Sequence, residues 1–529
     1  AGRAGFGPLE WGLFGMLASG GIAMAWFNPQ LYGRLPWISM GVCAVMLGQW
    51  KPEQPESMGW TILLFALLHA VPGYYLMGRS PIPKTWGALT VTTVLIYYLL
   101  GYWLLRHTLP WDAVTPIWDV IPLFWGALAL VLAGVSFHGM LQLHRHWRQR
   151  PDAEVMLALF MSSFTAFLSL ALTIELEREF LSVAMAGQVL GLAWINRRIP
   201  LKAMRPIIAV MALGFAGLLM PQILLLVQLT AYSLVEAKLH LQQSLPIVQW
   251  PLFQLGVPAG LFLGASYLLY REQDGKLVRS LESAAVALVA IMGYYLSRKG
   301  FHADQNVLFI KAGFLERGFI TNVLFLYGLI CLMAGRYFER SAFSWSGFVL
   351  AMVALFRIAF FDLLLYNPIL AHQQILGMTL FNTLLLPFGL PLIWGTLLGK
   401  ELIQVQMASI RPYLGGFLLL LLFVLTSLNV RFFFHGEYLD TGHASNMEIY
   451  SYSAVWMALG IGLLVAGIWR VHKALRYASL VMLTVTVLKV FLYDAGELEG
   501  LYRVFSLMGL GLCMLGLSYV YTRFVLERK

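Results

Sequence analysis

Apolar runs of roughly 18 residues or more, each long enough to cross a bilayer as a helix, constrain the fold of this chain more than any other feature. "TWGALTVTTVLIYYLLGYWLL" (Thr85 to Leu105) and "PYLGGFLLLLLFVLTSLNV" (Pro412 to Val430) are two of them, and others recur along the whole chain. A membrane barrel would show shorter, alternating segments. Lipid offers no partner to an open backbone polar group, so a bundle of spanning helices follows. The runs add up to about 17 spanning candidates. Composition agrees, since 59% of the 529 residues are hydrophobic and 12% are charged. The sequence therefore predicts an all-α, polytopic transmembrane bundle.

Charge gives a direction. The net charge of +10 comes from basic residues gathered in alternate loops, such as "HRHWRQR", "NRRIPLKAMR", "YREQDGKLVR" and "WRVHKALR". A basic patch for nucleic acid is not needed to explain it. The positive-inside rule places these loops and the C-terminus in the cytoplasm. The acidic segments "PWDAVTPIWD", "HGEYLDTGHASNME" and "DAGELEG" fall outside. No signal peptide is recognisable. The three cysteines (Cys43, Cys331, Cys513) are scattered through apolar runs, as small core residues would be.

"FRIAFFD" (Phe356 to Asp362) and "LKVFLYD" (Leu488 to Asp494) each place a cation five positions before an aspartate. The offset that carries Arg357 onto Lys489 and Asp362 onto Asp494 also carries Glu316 onto Glu448 and Gly335 onto Gly467. Slightly upstream the offset is longer by a single position, for Arg298 and Arg431 and for His302 and His435. A tandem duplication of four-helix units, parallel rather than inverted, accounts for this. The resulting division is 1–118 (N-terminal helices), 119–242 (a degenerate copy), 243–375 and 376–500 (two full copies), and 501–529 (a last helix with a cytoplasmic tail). In each full copy the second helix ends at the arginine, the third starts after the glutamate, and the fourth ends at the aspartate.

"NMEIYSYSAVWMALGIGLLVAG" and "LRYASLVMLTVTVLKVFLYDAGELEGLYRVFSLMGLGLCMLGLSYVYTRF", preceded by "LNVRFFFHGE", resemble the C-terminal signature of the bacterial domain-of-unknown-function 2339 family. The resemblance implies a polytopic bacterial inner-membrane protein and points to no particular activity. It also implies an extra N-terminal segment, commonly coiled-coil-like, which this sequence does not show.

The duplicated charges are the candidate site: Glu316, Arg357 and Asp362 in one copy, and Arg431, Glu448, Lys489, Asp494 and Arg503 in the other. Positions i and i+5 on an α-helix are about 140° apart, so Arg357 and Asp362 do not form a same-face pair. Each charge should find its partner on another helix, in water or in a ligand. One reading is that the cations reach outward and lock helices together. The other is a polar pocket open to the outside that holds a sugar, a lipid headgroup or a small ion.

Weaker features do not compete with this cluster. His69 and His138 lie in apolar runs, where a hydrogen-bonded core role is expected. Thr230 to Pro251 is too polar to span and reads as a surface helix or a long connector. No phosphate loop, nucleophile elbow, zinc motif or dinucleotide fingerprint occurs, and no cofactor is expected. Three functional readings remain open. The first is binding or translocation of an envelope-related lipid, glycan or small solute. The second is a scaffold that docks an extracytoplasmic protein. The third is an enzyme acting on a lipid-linked substrate. Membrane lipids are partners in every case.

Overall fold

In the computed structural model, the described residues are 7–50, 55–105, 121–146, 152–176, 178–198, 201–234, 250–302, 312–404, 408–470 and 472–494, with scattered positions between 504 and 522. They form 17 α-helices and no strand. Thirteen spans are long and apolar enough to cross a membrane, among the described residues. Most of the expected last helix (501–529) and most of Thr230 to Pro251 lie outside the described residues.

The chain divides into two compact units, Ala1–Met220 with Gly264–Leu277 and Pro221–Leu263 with Val278–Lys529. The helices of the first part of the chain are α1 (Pro8–Phe27), α2 (Pro29–Tyr32), α3 (Leu35–Gln49), α4 (Pro55–Met77), α5 (Pro83–Leu105), α6 (Ile121–His146), α7 (Ala153–Glu175), α8 (Arg178–Arg198) and α9 (Met204–Leu234). Several polar side chains inside the first unit are satisfied across helices. Ser136 on α6 bonds Ser163 on α7 at 2.9 Å, and the Tyr98 hydroxyl donates to the Trp125 carbonyl at 2.8 Å. His69, fully buried, has both ring nitrogens engaged, by the Phe65 carbonyl and the Ser39 hydroxyl.

The second unit carries the candidate site. The helices of the rest of the chain are α10 (Val257–Tyr270), α11 (Lys276–Phe301), α12 (Phe314–Tyr337), α13 (Ser341–Arg357), α14 (Leu390–Gln404), α15 (Arg411–His435), α16 (Asn446–Trp469) and α17 (Lys473–Lys489). A core that includes Phe325, Leu332, Phe388, Leu398 and Leu421 joins α12 to α15. The surfaces turned away from that core are apolar. Val349, Val353 and Phe356 on α13 are all exposed, as expected where lipid is the neighbour.

Small residues let α12 and α13 approach closely. A Cβ added at Gly347 would lie 2.6 Å from both the Gly328 carbonyl oxygen and the Leu332 nitrogen. At the matching place in the next helix pair, Ser479 on α17 donates to the Gly460 carbonyl of α16 at 2.7 Å. The offset that relates Asp362 to Asp494 also relates Gly328 to Gly460 and Gly347 to Ser479.

Neither α13 nor α17 ends as an α-helix. After Arg357 the chain widens into a π-helix, Ile358–Leu365, and after Lys489 into another, Val490–Asp494. In a π turn each residue bonds to the one five positions on. This changes the geometry drawn from the sequence. The i+5 residue comes round to the side of residue i, so Asp362 returns towards the face of Arg357.

Candidate functional site

The C-terminal end of α11, the N-terminal end of α12 and the C-terminal end of α13 converge. Glu316 sits in the first turn of α12, where a negative charge suits the helix dipole. Its Oε1 accepts from Arg298 Nη1 at 2.7 Å, and its Oε2 lies 2.9 Å from His302 Nε2. Arg298 and Glu316 are both almost completely buried.

The same three residue types meet again where α15 ends and α16 begins. Arg431 Nη1 lies 3.1 Å from Glu448 Oε1, and His435 Nε2 lies 2.8 Å from Glu448 Oε2. Glu448 has no exposed surface. The Tyr452 hydroxyl adds a bond to Oε1 at 3.1 Å. The Ser445 hydroxyl caps α16 by accepting from the Glu448 amide. Arg431 spends its remaining donors on backbone carbonyls, Leu439 at 3.0 Å and Gly442 at 3.0 Å. Nε2 of His435 also lies 2.7 Å from Arg431 Nη1. One ring nitrogen cannot donate to the carboxylate and accept from the guanidinium at once. The carboxylate, as the charged acceptor, favours the donating role. Both glutamates are thus fully engaged by protein groups, which is the helix-locking arrangement.

A second layer lies beside each triad. Arg357 Nε bonds the Thr321 hydroxyl on α12 at 3.3 Å. Lys489 Nζ bonds the Ser453 hydroxyl at 2.6 Å and the Ile449 carbonyl at 2.9 Å, both on α16. Thr321 and Ser453 stand at the same offset as Glu316 and Glu448. The side chain of Asp494 and the whole of Arg503 lie outside the described residues.

The two clusters differ at several positions, and at one of them a charge is present in the first and missing from the second. Arg317, next to Glu316, is matched by Ile449. Arg317 is 3% exposed and Asp362 is 1% exposed. Nη1 of Arg317 donates to the Ala312 carbonyl at 2.8 Å, and its guanidinium carbon lies 4.2 Å from the centre of the Tyr366 ring. Nε and Nη2 of Arg317 are buried without a hydrogen-bond partner, and so is Oδ1 of Asp362. Arg317, Arg357 and Asp362 act on one another electrostatically, but neither guanidinium comes within ion-pair distance of Asp362.

Each unmet buried polar atom costs about 1–3 kcal/mol, and more when the group is charged. Three such atoms lie on Arg317 and Asp362. The sequence reading did not single out Arg317, because a search for repeated charges discards a residue whose counterpart is isoleucine. The available signal was a lone arginine entering an apolar helix.

Several other charged groups of this unit meet protein partners. At the far ends of α11 and α12, Arg340 pairs with Glu282 at 2.7 Å and Arg336 with Glu401 at 3.0 Å. His372 stacks on Tyr438 and meets Asp440 at 2.9 Å. Among the described residues, no group of three or more His, Cys, Asp or Glu side chains is placed to hold a metal ion.

These features define a class: a polytopic helical membrane protein whose buried charges gather where helices end. A family model described as predicted membrane protein (DUF2339) matches residues 10–524, and the chain belongs to that family. No curated protein and no solved structure matches the chain.

Proposed function

We propose that this protein binds, and in doing so passes across or presents, an envelope-related lipid, glycan or small solute at the charged cluster of its second unit. The observation that carries the reading is the contrast within that cluster. Glu316 and Glu448 are engaged by protein donors, while buried atoms of Arg317 and Asp362 have no hydrogen-bond partner. In this reading the protein is a multi-pass protein of the bacterial inner membrane with its C-terminus in the cytoplasm. The cluster then opens towards the extracytoplasmic side. Tandem duplication of a four-helix unit explains why the two clusters share a plan, and isoleucine at position 449 against arginine at 317 is where their charge differs.

A scaffold reading is favoured by a separate observation, the self-satisfaction of the two Arg–Glu–His triads, which fits charges kept only to hold helices together. Asp362→Asn separates the two. The aspartamide keeps the size of the side chain and removes its charge. The ligand-binding reading expects lost function, or lost ligand, at wild-type yield and thermal stability. If Asp362→Asn behaves as wild type in both respects, the ligand-binding reading fails.

A further inference from the structure

We infer that the ligand of the Arg317–Arg357–Asp362 cluster is an oxyanion, a phosphate or carboxylate group, with a hydroxyl or ammonium donor beside it. This rests on the binding reading above and gives it a chemical class. The argument starts from which atoms are open. Nη1 of Arg317 is held by the Ala312 carbonyl, and the two buried atoms without partners are Nε and Nη2. Together they form the side-on edge of the guanidinium, two parallel N–H donors at the spacing of two oxygens on one phosphorus or one carboxyl carbon. Planar bidentate recognition of this kind is what arginine supplies and lysine does not.

The guanidinium carbon lies 4.2 Å from the centre of the Tyr366 ring, a contact that limits how far the fork can turn. Arg357, fixed at Nε by Thr321, adds a second positive charge to the same neighbourhood. Two guanidiniums and one carboxylate leave the cluster one charge positive, which a monoanion would neutralise. Asp362 sets the second requirement. Its buried Oδ1 has no donor, and a bare anion would face it unfavourably. A guest that offers a hydroxyl or ammonium next to its anion satisfies both ends. Phosphorylated lipid headgroups and small soluble phosphate esters share this chemistry.

The second cluster provides the internal comparison. Ile449 stands where Arg317 would be, and the Lys489 ammonium is bonded to Ser453 and to the Ile449 carbonyl. Among the described residues this second cluster offers no open fork, so one site per chain is expected rather than two.

The test uses the full chain purified in a maltoside detergent, which contains no phosphorus. It is titrated by calorimetry with inorganic phosphate, with short-chain phosphatidylglycerol and with methyl glucoside. One saturable site per chain is expected for phosphate, for the lipid, or for both. A response to phosphate alone assigns a free solute, and a response to the lipid alone assigns a headgroup. Arg317→Lys keeps the charge but loses the fork, and should weaken binding at least ten-fold. Lys489→Met should leave it unchanged. Should Arg317→Lys fail to fold, Asp362→Asn and the stoichiometry of one carry the test. Equal binding by Arg317→Lys, or two equivalents per chain, overturns the oxyanion assignment. If only methyl glucoside binds, and Asp362→Asn abolishes it, the oxyanion assignment falls and the binding reading stands. If none of the three binds, the oxyanion assignment falls, and the binding reading is decided by the Asp362→Asn comparison.

Discussion

Arg431→Met is the perturbation whose size the structure fixes best. Methionine keeps much of the aliphatic length and removes the guanidinium. Glu448, with no exposed surface, would lose its 3.1 Å cation and keep only His435 and Tyr452 as donors. The Leu439 and Gly442 carbonyls would lose their donor as well. Breaking one partner of a buried pair typically costs about 3–5 kcal/mol, because the other charge is stranded. At about 1.4 kcal/mol per decade, that is a fall of roughly 100-fold or more in the folding equilibrium. Removing both charges avoids the stranded carboxylate, so Arg431→Met with Glu448→Gln should recover a large part of the loss. Denaturant unfolding in detergent micelles, followed by tryptophan fluorescence, measures all three variants and wild type as a double-mutant cycle. A single-mutant cost below about 1 kcal/mol, the range of exposed pairs, would refute the reasoning. So would a double mutant no better than the single one.

Three further outcomes are expected. Gly347→Leu should destabilise the α12–α13 pair by several kcal/mol, as overpacking does, because even a Cβ there meets backbone at 2.6 Å. Gly12→Leu, with open space around it, should be near neutral, and thermal unfolding compares the two. Lys489→Met should cost about 1–3 kcal/mol through its two lost bonds, without changing ligand binding; a selective loss of binding at normal stability would move the ligand to the second cluster. In a background without Cys43, Cys331 and Cys513, single cysteines at the exposed Asp274 and Thr441 should label with an impermeant maleimide only from the inner and only from the outer face, respectively. Labelling of both from one face would contradict the proposed orientation.

The membrane-spanning helices were legible because spanning a bilayer needs a long uninterrupted apolar run, and such runs are visible without any partner. Residues that meet at the site were legible where the same residue type recurs at a fixed offset. Glu316 and Glu448, Arg298 and Arg431, and His302 and His435 share fixed spacings, and in the structure each set closes around its carboxylate. Two features were not legible. The π turns after Arg357 and Lys489 depend on a hydrogen-bond register that has no residue signature, and an α-helical wheel misplaces Asp362 as a result. Arg317 was invisible for a different reason. Its importance lies in which of its atoms remain unmet, and only the positions of Ala312, Tyr366 and Asp362 around it decide that.

The central claim, a bound guest on Arg317 and Asp362, is tested most directly by native mass spectrometry of the gently solubilised protein at its natural expression level. The account predicts one reproducible adduct of a phosphate- or carboxylate-bearing molecule per chain, present in wild type and in Lys489→Met and absent in Arg317→Lys. A bare protein, or an adduct that survives Arg317→Lys at wild-type occupancy, would contradict it.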